Sequence, residues 1–484
     1  MMPNATFTSL FTTACLSLLG LICATAESST AATVSGSIDW NIQTGVTPTV
    51  FSYSLNVYDG FDPDVAGTPG NATYKTNVAA MKAGIIRYHY GGQTTQDSRV
   101  DSRAWVTSPA TARYKWDRKK INNALLGSYE YGPEIIMNIA NWPTYLAISS
   151  SNYQLSSSHY ADYANFCASL VRIINKDPQH PDRHVQRWEV FNELDNGDGV
   201  NTHGIYEGFD GLAAVGRIFN RVAAAMKAVD PTILVGGPAF AREDVLAQVD
   251  GFFSTAASSL DFVSYHSYYA GTSCGFNPTN QQVFDNAATL GSYTAGVKAE
   301  FAKYSSRLIE YFHDEFNISY CPPDDRMTNE IGAVYDGLTL LSIAKAGATG
   351  ALAWNEADGW YGKLDSAYNR RPASYLFQFY NEDMSGPYMV STSSDDSKVA
   401  IQGVKNDTYD KICLINRSEA EQSVQLSFSG FSSGINQDSL FALKQVYAYG
   451  ALYGSVTYGT LTSPGGLTLP ANTVTILVIN DTRQ

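Results

Sequence analysis

The stretch Arg187–Gly199 reads RWEVFNELDNGDG. Its first five residues have the composition of a buried strand. Trp188, Val190 and Phe191 are aromatic or β-branched, and Gly, Asp and Asn punctuation follows at once. The strand breaks out into a loop on Asn192-Glu193. A strand end is a rigid place from which to aim a catalytic acid, but strands also end in polar residues simply because loops are solvated. The dipeptide alone does not decide, since Asn-Glu recurs at Asn329-Glu330, Asn355-Glu356 and Asn381-Glu382. Its surroundings do.

On either side of this stretch, strand-like runs alternate with amphipathic ones. The runs are VFSYSLNVYDG, GIIRYHYGG, EIIMNIANWP, RWEVFNELD, ILVGGPAF, DFVSYHSYY, RLIEYFHDEFN and GALAWNEADGW. Helical patterns fall between them at Ser158–Lys176, Gly211–Val229 and Met327–Ala346, with apolar residues three and four apart. Eight strands alternating with helices predict an α/β fold, a parallel (β/α)8 TIM barrel over 50–386. An open doubly wound sheet is the alternative, but no G-x-G-x-x-G follows any strand. After Gly386 the helices stop. KVAIQGVK, KICLIN, SVQLSF, LKQVYAY and NTVTILVIN are short runs split by Gly, Ser and Asn, which predicts a C-terminal antiparallel β-sandwich over 387–484. TVSGSIDWNI, within 27–49, is a candidate further strand of that sandwich.

The ends of the chain and its composition bound the function. The 484 residues are 44% hydrophobic and 16% charged, which is a folded chain with a large core. A formal charge of -14 argues against a nucleic-acid partner, whose phosphates nothing would neutralise. LFTTACLSLLGLIC, Leu10–Cys23, is followed by Ala24-Thr25-Ala26. Residues 1–26 therefore read as a secretory signal peptide, too short to span a bilayer, and leave no membrane attachment once removed. Extracellular localisation is the expectation. Sequons at Asn71, Asn317, Asn406, Asn416 and Asn480 suit a eukaryotic secretory route. Cys167, Cys274, Cys321 and Cys413 remain after cleavage, without metal-site spacing. Cys274 lies in the loop after the sixth strand and Cys321 in the loop after the seventh. Adjacent barrel strands bring those loops together, so a Cys274–Cys321 disulfide is expected. Cys167, in a helical pattern, and Cys413, on a sandwich strand, read as buried thiols.

In a barrel of this kind chemistry sits at the C-terminal strand ends. Those ends carry Arg87 and His89 on the second strand, Asn141-Trp142 on the third, and Asn192-Glu193 on the fourth. His266 and Tyr268 lie on the sixth, Glu315 and Asn317 on the seventh, and Trp354 and Glu356 on the eighth. Glu193 and Glu315 face each other across the mouth and could approach to ~5–5.5 Å, the separation found in retaining glycosidases. One carboxylate of such a pair attacks the anomeric carbon. Its charge disfavours a second one close by, so the other keeps a proton for the leaving oxygen.

These residues carry a resemblance. The chain resembles clan A glycoside hydrolases, and most of all family 39, of a secreted, fungal type. WEVFNE is similar to the family's acid/base motif W-E-V-W-N-E-P, with Leu194 in place of proline. HDEFNISYCPPDD is similar to its nucleophile motif, and His266-x-Tyr268 also matches. The resemblance implies Glu193 as acid/base and Glu315 as nucleophile. It implies Asn192 on the sugar 2-hydroxyl, Tyr268 on the nucleophile or sugar, and His266 on the sugar. Arg87 would hold Glu315 ionised, and Trp354 would serve as an apolar platform. His89, Trp142 and Glu356 are further candidates for substrate contact. The substrate would be an oligo- or polysaccharide cleaved at a β-linkage, with no cofactor and no metal. Family xylosidases carry an acidic pair beyond the eighth-strand tryptophan. Here NEADGWYGKLD lacks adjacent carboxylates, which leaves β-xylosidase specificity open beside a glucuronidase- or glucanase-like one, or a non-catalytic carbohydrate-binding barrel.

Three lesser readings complete the list. Alternation along a strand keeps His313, Asp314 and Glu315 from converging on a metal. Asn317, on the nucleophile's side of its strand, is expected to carry no glycan. Gly430–Gly434 matches G-x-S-x-G but lacks the following helix of an esterase elbow, and reads as a turn.

Overall fold

The computed structural model describes residues 33–46, 50–55, 71–89, 116, 118, 121–122, 125, 134–140, 142, 144–148, 155–195, 212–241, 246–405, 410–431 and 435–479. The signal-peptide reading, Asn141, the sequons at Asn406 and Asn480, and Ser432–Gly434 lie outside them.

Eight parallel strands close into a barrel. They are β2 (Val50–Leu55), β3 (Ile86–Tyr88), β4 (Ile135–Ile139), β5 (Arg187–Val190), β6 (Leu234–Phe240), β7 (Phe262–Ala270), β8 (Glu310–Ser319) and β9 (Gly350–Trp354). β9 returns to β2 in a register running from Val50 opposite Gly350 to Ser54 opposite Trp354. These are the eight strands expected from the sequence. The apolar run of β4 reflects burial on both faces, since every one of its residues is buried.

Period-two alternation divides the barrel interior into two levels. Ile85, Ile136, Phe262, Phe312 and Leu352 form an apolar floor. Two residues further along the same strands stand Arg87, Asn138, Ser264, Asp314 and Trp354. The interior therefore turns from hydrocarbon to charge within one step of the pleat.

Helices α1 (Ala72–Ala80), α2 (Tyr160–Asn175), α3 (Leu212–Val229), α4 (Leu246–Ala256), α5 (Asn280–Ala302), α6 (Glu330–Lys345) and α7 (Pro372–Asp383) surround the barrel. Both α2 and α3 bury a single stripe, as an outer layer should. α6 is buried along nearly its whole length, because the barrel covers one side and the second domain the other, and its one buried carboxylate, Asp336, is paired with Lys363 at 2.6 Å. A Cβ added at Gly337 of α6 would lie 3.1 Å from Ile415 and 3.5 Å from Val474, both in that domain.

The second domain packs two sheets face to face. One has the order β10-β1-β13-β16, the other β11-β12-β17-β14-β15. The strands are β1 (Val34–Gln43), β10 (Met389–Ser393), β11 (Val399–Lys405), β12 (Asp410–Asn416), β13 (Gln422–Ser429), β14 (Leu440–Tyr447), β15 (Gly450–Thr457), β16 (Leu467–Leu469) and β17 (Thr473–Ile479). Val34, Ile38 and Trp40 of β1 face Ile401, Leu414, Leu426 and Leu477 in the shared core. β1 pairs antiparallel with β10 but parallel with β13, so the sandwich is not wholly antiparallel. A strand arriving from the far end of the chain is free of the hairpin constraint that makes its neighbours antiparallel. A five-residue helix, α8 (Tyr458–Thr462), adds a turn that the spacing of strands did not suggest. Among the described residues no helix is long and apolar enough to cross a membrane.

Candidate active site

The end of β5 is built by backbone geometry that most residues avoid. Phe191 (φ 77°) and Glu193 (φ 53°) both lie in the left-handed region. Each costs of order 1–3 kcal/mol in isolation. The surroundings hold them there. The Phe191 ring stacks on Tyr163 of α2 at 5.8 Å, and its N–H donates to Ile139 O at 3.0 Å. Glu193 N–H donates to Ala239 O at 2.8 Å. Asp195, buried just beyond, accepts from Ala241 N–H at 2.9 Å and pins the loop to β6. Gly237 of β6 has φ 131°, and any Cβ there would strike Val190 O at 2.5 Å. This close approach sets β5 and β6 so that Asn192 and Glu193 turn inward.

β8 reaches the same place by a bulge. Tyr265 pairs with His313, but His266 pairs with Glu315, which leaves Asp314 as an extra residue. A bulge sends two consecutive side chains to one side. Asp314 and Glu315 therefore both face the barrel axis, against the strict alternation expected from the sequence. His313 does face away, where it meets Ser267 Oγ at 2.7 Å and packs against Tyr265 and Tyr293. Burial and the nearby His266 push His313 down to about 3.

Arg87 is the hub. Fully buried, it donates from Nε to Glu189 at 2.7 Å, from Nη1 to Glu315 at 2.7 Å and from Nη2 to Asn192 at 2.8 Å. Its Nε is also 3.2 Å from Asp314. Burial opposes the charge, but Glu189, Asp314 and Glu315 more than offset it. Glu315 receives a second hydrogen bond, from Tyr268 Oη at 2.8 Å. His266 sits between the two glutamates: Nδ1 donates to Glu193 at 2.9 Å and lies 3.6 Å from Glu315, while Nε2 is 3.4 Å from Asp314. Burial would lower its pKa, yet Glu315, Asp314 and Glu193 hold it well above the ordinary imidazole value. One carboxylate oxygen each of Glu193 and Glu315, with a His266 nitrogen, lie within 4.8 Å of one another. That spacing would also suit a metal ion, but a protonated imidazole and a guanidinium already supply the positive charge.

Beneath this lies a layer that sequence reasoning missed. Glu189 is pushed up to about 7 by burial and by Asp314, against the pull of Arg87. Asp314 goes the other way: burial raises it, but Arg87, Glu189 and His266 bring it below its ordinary value. Asn138 donates to Glu189 at 2.6 Å and to Phe191 O at 2.8 Å. The available signal was a Glu and an Asn in the middle of strands otherwise apolar on both faces.

The other candidates separate. His89 is buried, bonded to Asn138 at 2.7 Å and tilted against Trp354 at 5.6 Å. Burial first, and then Arg87, bring it down to about 3, so it is neutral. Trp354 is half-buried at the end of β9. Trp142 is turned into the core, edge-on to Tyr163 at 5.8 Å, and offers no open face. Glu356 is fully buried and takes a hydrogen bond from Tyr74 Oη of α1 at 3.4 Å. Asp358 gathers the amides of Trp360 (2.7 Å) and Gly362 (2.8 Å) and the side chain of Asn355 (2.9 Å). Neither carboxylate of this loop is free to read a sugar. Asn317 is buried, its amide nitrogen donating to the carbonyls of Trp354 and Tyr361. Asn416 is likewise enclosed, with its amide nitrogen on Ala420, Leu469 and Pro470 carbonyls. Cys274 and Cys321 are joined, Cα to Cα 5.9 Å, and Cys167 and Cys413 are buried thiols.

Residues 156–339 match the sequence profile described as glycosyl hydrolases family 39. No curated protein sequence matches significantly. Among solved structures, a β-xylosidase from Caulobacter crescentus superposes with a TM-score of 0.66 at 16% identity, over 93% of this chain and 99% of the other. A family 51 arabinofuranosidase from Xanthomonas axonopodis pv. citri gives 0.67 at 13% identity, over 93% and 100%. A family 44 endoglucanase from Clostridium thermocellum gives 0.60 at 13% identity, over 92% and 99%. At these identities the superpositions speak for the fold. The profile match covers β5 through β8, the segment that carries both glutamates, and defines the class: the protein is a glycoside hydrolase. Within that class it is family-39-like.

Proposed function

We propose that the protein is a secreted, retaining hydrolase of β-linked glycosides. The observation that supports this best is the separation of its two carboxylates, within 4.8 Å oxygen to oxygen. Retaining glycosidases need about 5–5.5 Å between the groups, whereas inversion needs at least ~6.5 Å to admit a water. Glu315, bridged by Arg87 and Tyr268, is the nucleophile, with its attacking electrons aimed by two fixed donors. Glu193, which accepts from His266 Nδ1 at 2.9 Å, is the acid/base. It gives a proton to the departing oxygen as Glu315 bonds to the anomeric carbon. Once the glycosyl ester has formed, Glu315 is no longer charged. Glu193 then takes a proton from water as that water attacks the anomeric carbon; the bond from the sugar to Glu315 breaks, Glu315 leaves as a carboxylate, and the sugar regains its original configuration. Asn192, oriented by Arg87, reaches the 2-hydroxyl, and Trp354 offers its ring to the sugar face.

The sugar is less constrained. Glu356 is enclosed and Asp358 is spent on backbone amides, which favours a substrate other than a simple β-xyloside. A panel of nitrophenyl β-xyloside, β-glucoside, β-galactoside, β-glucuronide and α-L-arabinofuranoside, with nitrophenyl acetate as the ester control, tests the proposal. Cleavage of a glycoside that Glu315→Ala abolishes is the expected result. Cleavage of the ester alone would overturn it.

A further inference from the structure

Three large aromatic side chains stand open to solvent on the loops that follow β7, β8 and β9: Phe276 (46% exposed), Tyr320 (52%) and Trp360 (50%). Single exposed aromatics need no explanation. Three on consecutive loops at the catalytic end of a barrel do, because contiguous apolar surface there costs solubility unless something covers it.

The loops that carry them are tied together. The Cys274–Cys321 bond crosses from the first to the second, and Ser273 N–H donates to Cys321 O at 3.2 Å. Arg326 reaches Thr272 Oγ1 (3.2 Å), Asn277 Oδ1 (3.0 Å) and Asp324 (2.6 Å). Gly271 N–H donates to Phe276 O at 2.9 Å, and a Cβ on Gly271 would sit 2.4 Å from Tyr320 Oη. The Tyr320 ring therefore lies on the glycine that pairs with Phe276. Tyr361 Oη donates to Tyr320 O at 3.2 Å and joins the third loop to the second. Trp360 is next to Tyr361 and is held by Asp358 and, through Gly359 O, by Arg371.

The same Tyr361 connects this surface to the reaction centre. Its carbonyl oxygen accepts from Asn317 Nδ2 at 3.2 Å, two residues beyond Glu315 on β8, while burial, Asp358, Glu315 and Glu193 hold its hydroxyl neutral. The aromatic surface and the paired carboxylates thus border a single tyrosine.

Resting on the reading of the protein as a glycoside hydrolase, we propose that Phe276, Tyr320 and Trp360 form a rigid aromatic ledge on which a second, uncharged sugar ring of an extended glycan stacks, next to the ring being cleaved. Sugar C–H faces are apolar, and a fixed aromatic face binds them without the entropy cost of ordering a mobile loop. The occupant follows from position: a glycan that extends from the paired carboxylates over the loops after β7, β8 and β9 lies against these rings. The substrate class is an oligo- or polysaccharide with pyranose units beyond the scissile bond.

Affinity electrophoresis of the full chain tests this without turnover. Glu315→Gln removes the nucleophile, and gels contain wheat arabinoxylan, barley β-glucan or larch arabinogalactan. The parent should be retarded by at least one of them. Tyr320→Ala and Trp360→Ala in the same background should lose that retardation. Tyr320→Phe and Trp360→Phe should keep it and show that loss is not misfolding. Tyr449→Ala, an exposed aromatic on the sandwich, should also keep it. Absence of retardation in all three gels, equal retardation of the alanine variants, or loss in Tyr449→Ala would each overturn the ledge. Nitrophenyl monosaccharides report on the pocket alone. Their cleavage without retardation would therefore refute the ledge and leave the hydrolase standing.

Discussion

Replacing Arg87 by lysine tests whether the charged layer is held by one guanidinium. Arg87 donates in three directions, to Glu189, Glu315 and Asn192. A lysine ammonium is a point charge on a flexible stem and cannot reproduce a planar fork that reaches three separate acceptors. At least one hydrogen bond to a buried carboxylate is lost, each contributing about 1.5–3 kcal/mol. A carboxylate left without its partner adds a further penalty, and breaking a buried pair typically costs about 3–5 kcal/mol in all. For a chain of this size that corresponds to a drop in Tm of about 3–6 °C at neutral pH. The sign of the pH dependence follows from proton binding. Carboxylates deprived of Arg87 have folded pKa values above their unfolded ones, so the folded form is penalised only once they ionise. The deficit should be largest at pH 8 and shrink towards pH 4.5. Calorimetry of both proteins across that range measures it. A Tm within 1 °C of wild type, or a deficit that grows on acidification, would refute the hub.

Three further expectations use the same structure. Glu193→Ala should slow glycosides with poor leaving groups by roughly 10²–10⁴-fold while scarcely affecting dinitrophenyl glycosides, which depart without a proton; equal loss on both, measured as kcat/KM, would remove Glu193 from the acid's role. Glu189, at about 7 through burial and Asp314, holds a proton between its ordinary value and 7 that the unfolded chain releases, so wild-type stability should fall with rising pH through that window. Urea midpoints of Glu189→Gln should lack that part of the slope, and parallel pH profiles would contradict the assignment. Removing the disulfide by Cys274→Ser with Cys321→Ser opens a loop of sequence separation 47 and should cost about 2–4 kcal/mol, read as a lower unfolding midpoint; an unchanged midpoint would mean that Arg326 alone secures the rim.

The barrel was legible because its signal is redundant. Each of the eight runs from VFSYSL to GALAW combines apolar or aromatic residues with nearby turn residues, and each strand pairs parallel with its neighbours. Glu193 and Glu315 were legible for the same reason: strand ends are where a barrel places chemistry, and two motifs fell there in order. What alternation could not show was its own interruption. The bulge that turns Asp314 inward is set by the pairing of β7 with β8, which no local pattern records. Nor does a strand end say which way a side chain turns. Trp142 goes to the core beside Tyr163, and Glu356 to Tyr74 on α1, because helices outside the barrel complete their surroundings. The parallel pairing of β1 with β13 likewise depends on strands far apart in the chain.

The stereochemistry of hydrolysis tests the central claim most directly. Proton NMR of the reaction on whichever nitrophenyl glycoside is cleaved resolves the anomeric proton of the first sugar released, before mutarotation. Glu193 and Glu315, within 4.8 Å of each other, leave no room for a water between nucleophile and sugar, so the product should appear first with the configuration of the substrate. Initial appearance of the opposite anomer would mean direct attack by water, and the double displacement through Glu315 would be wrong.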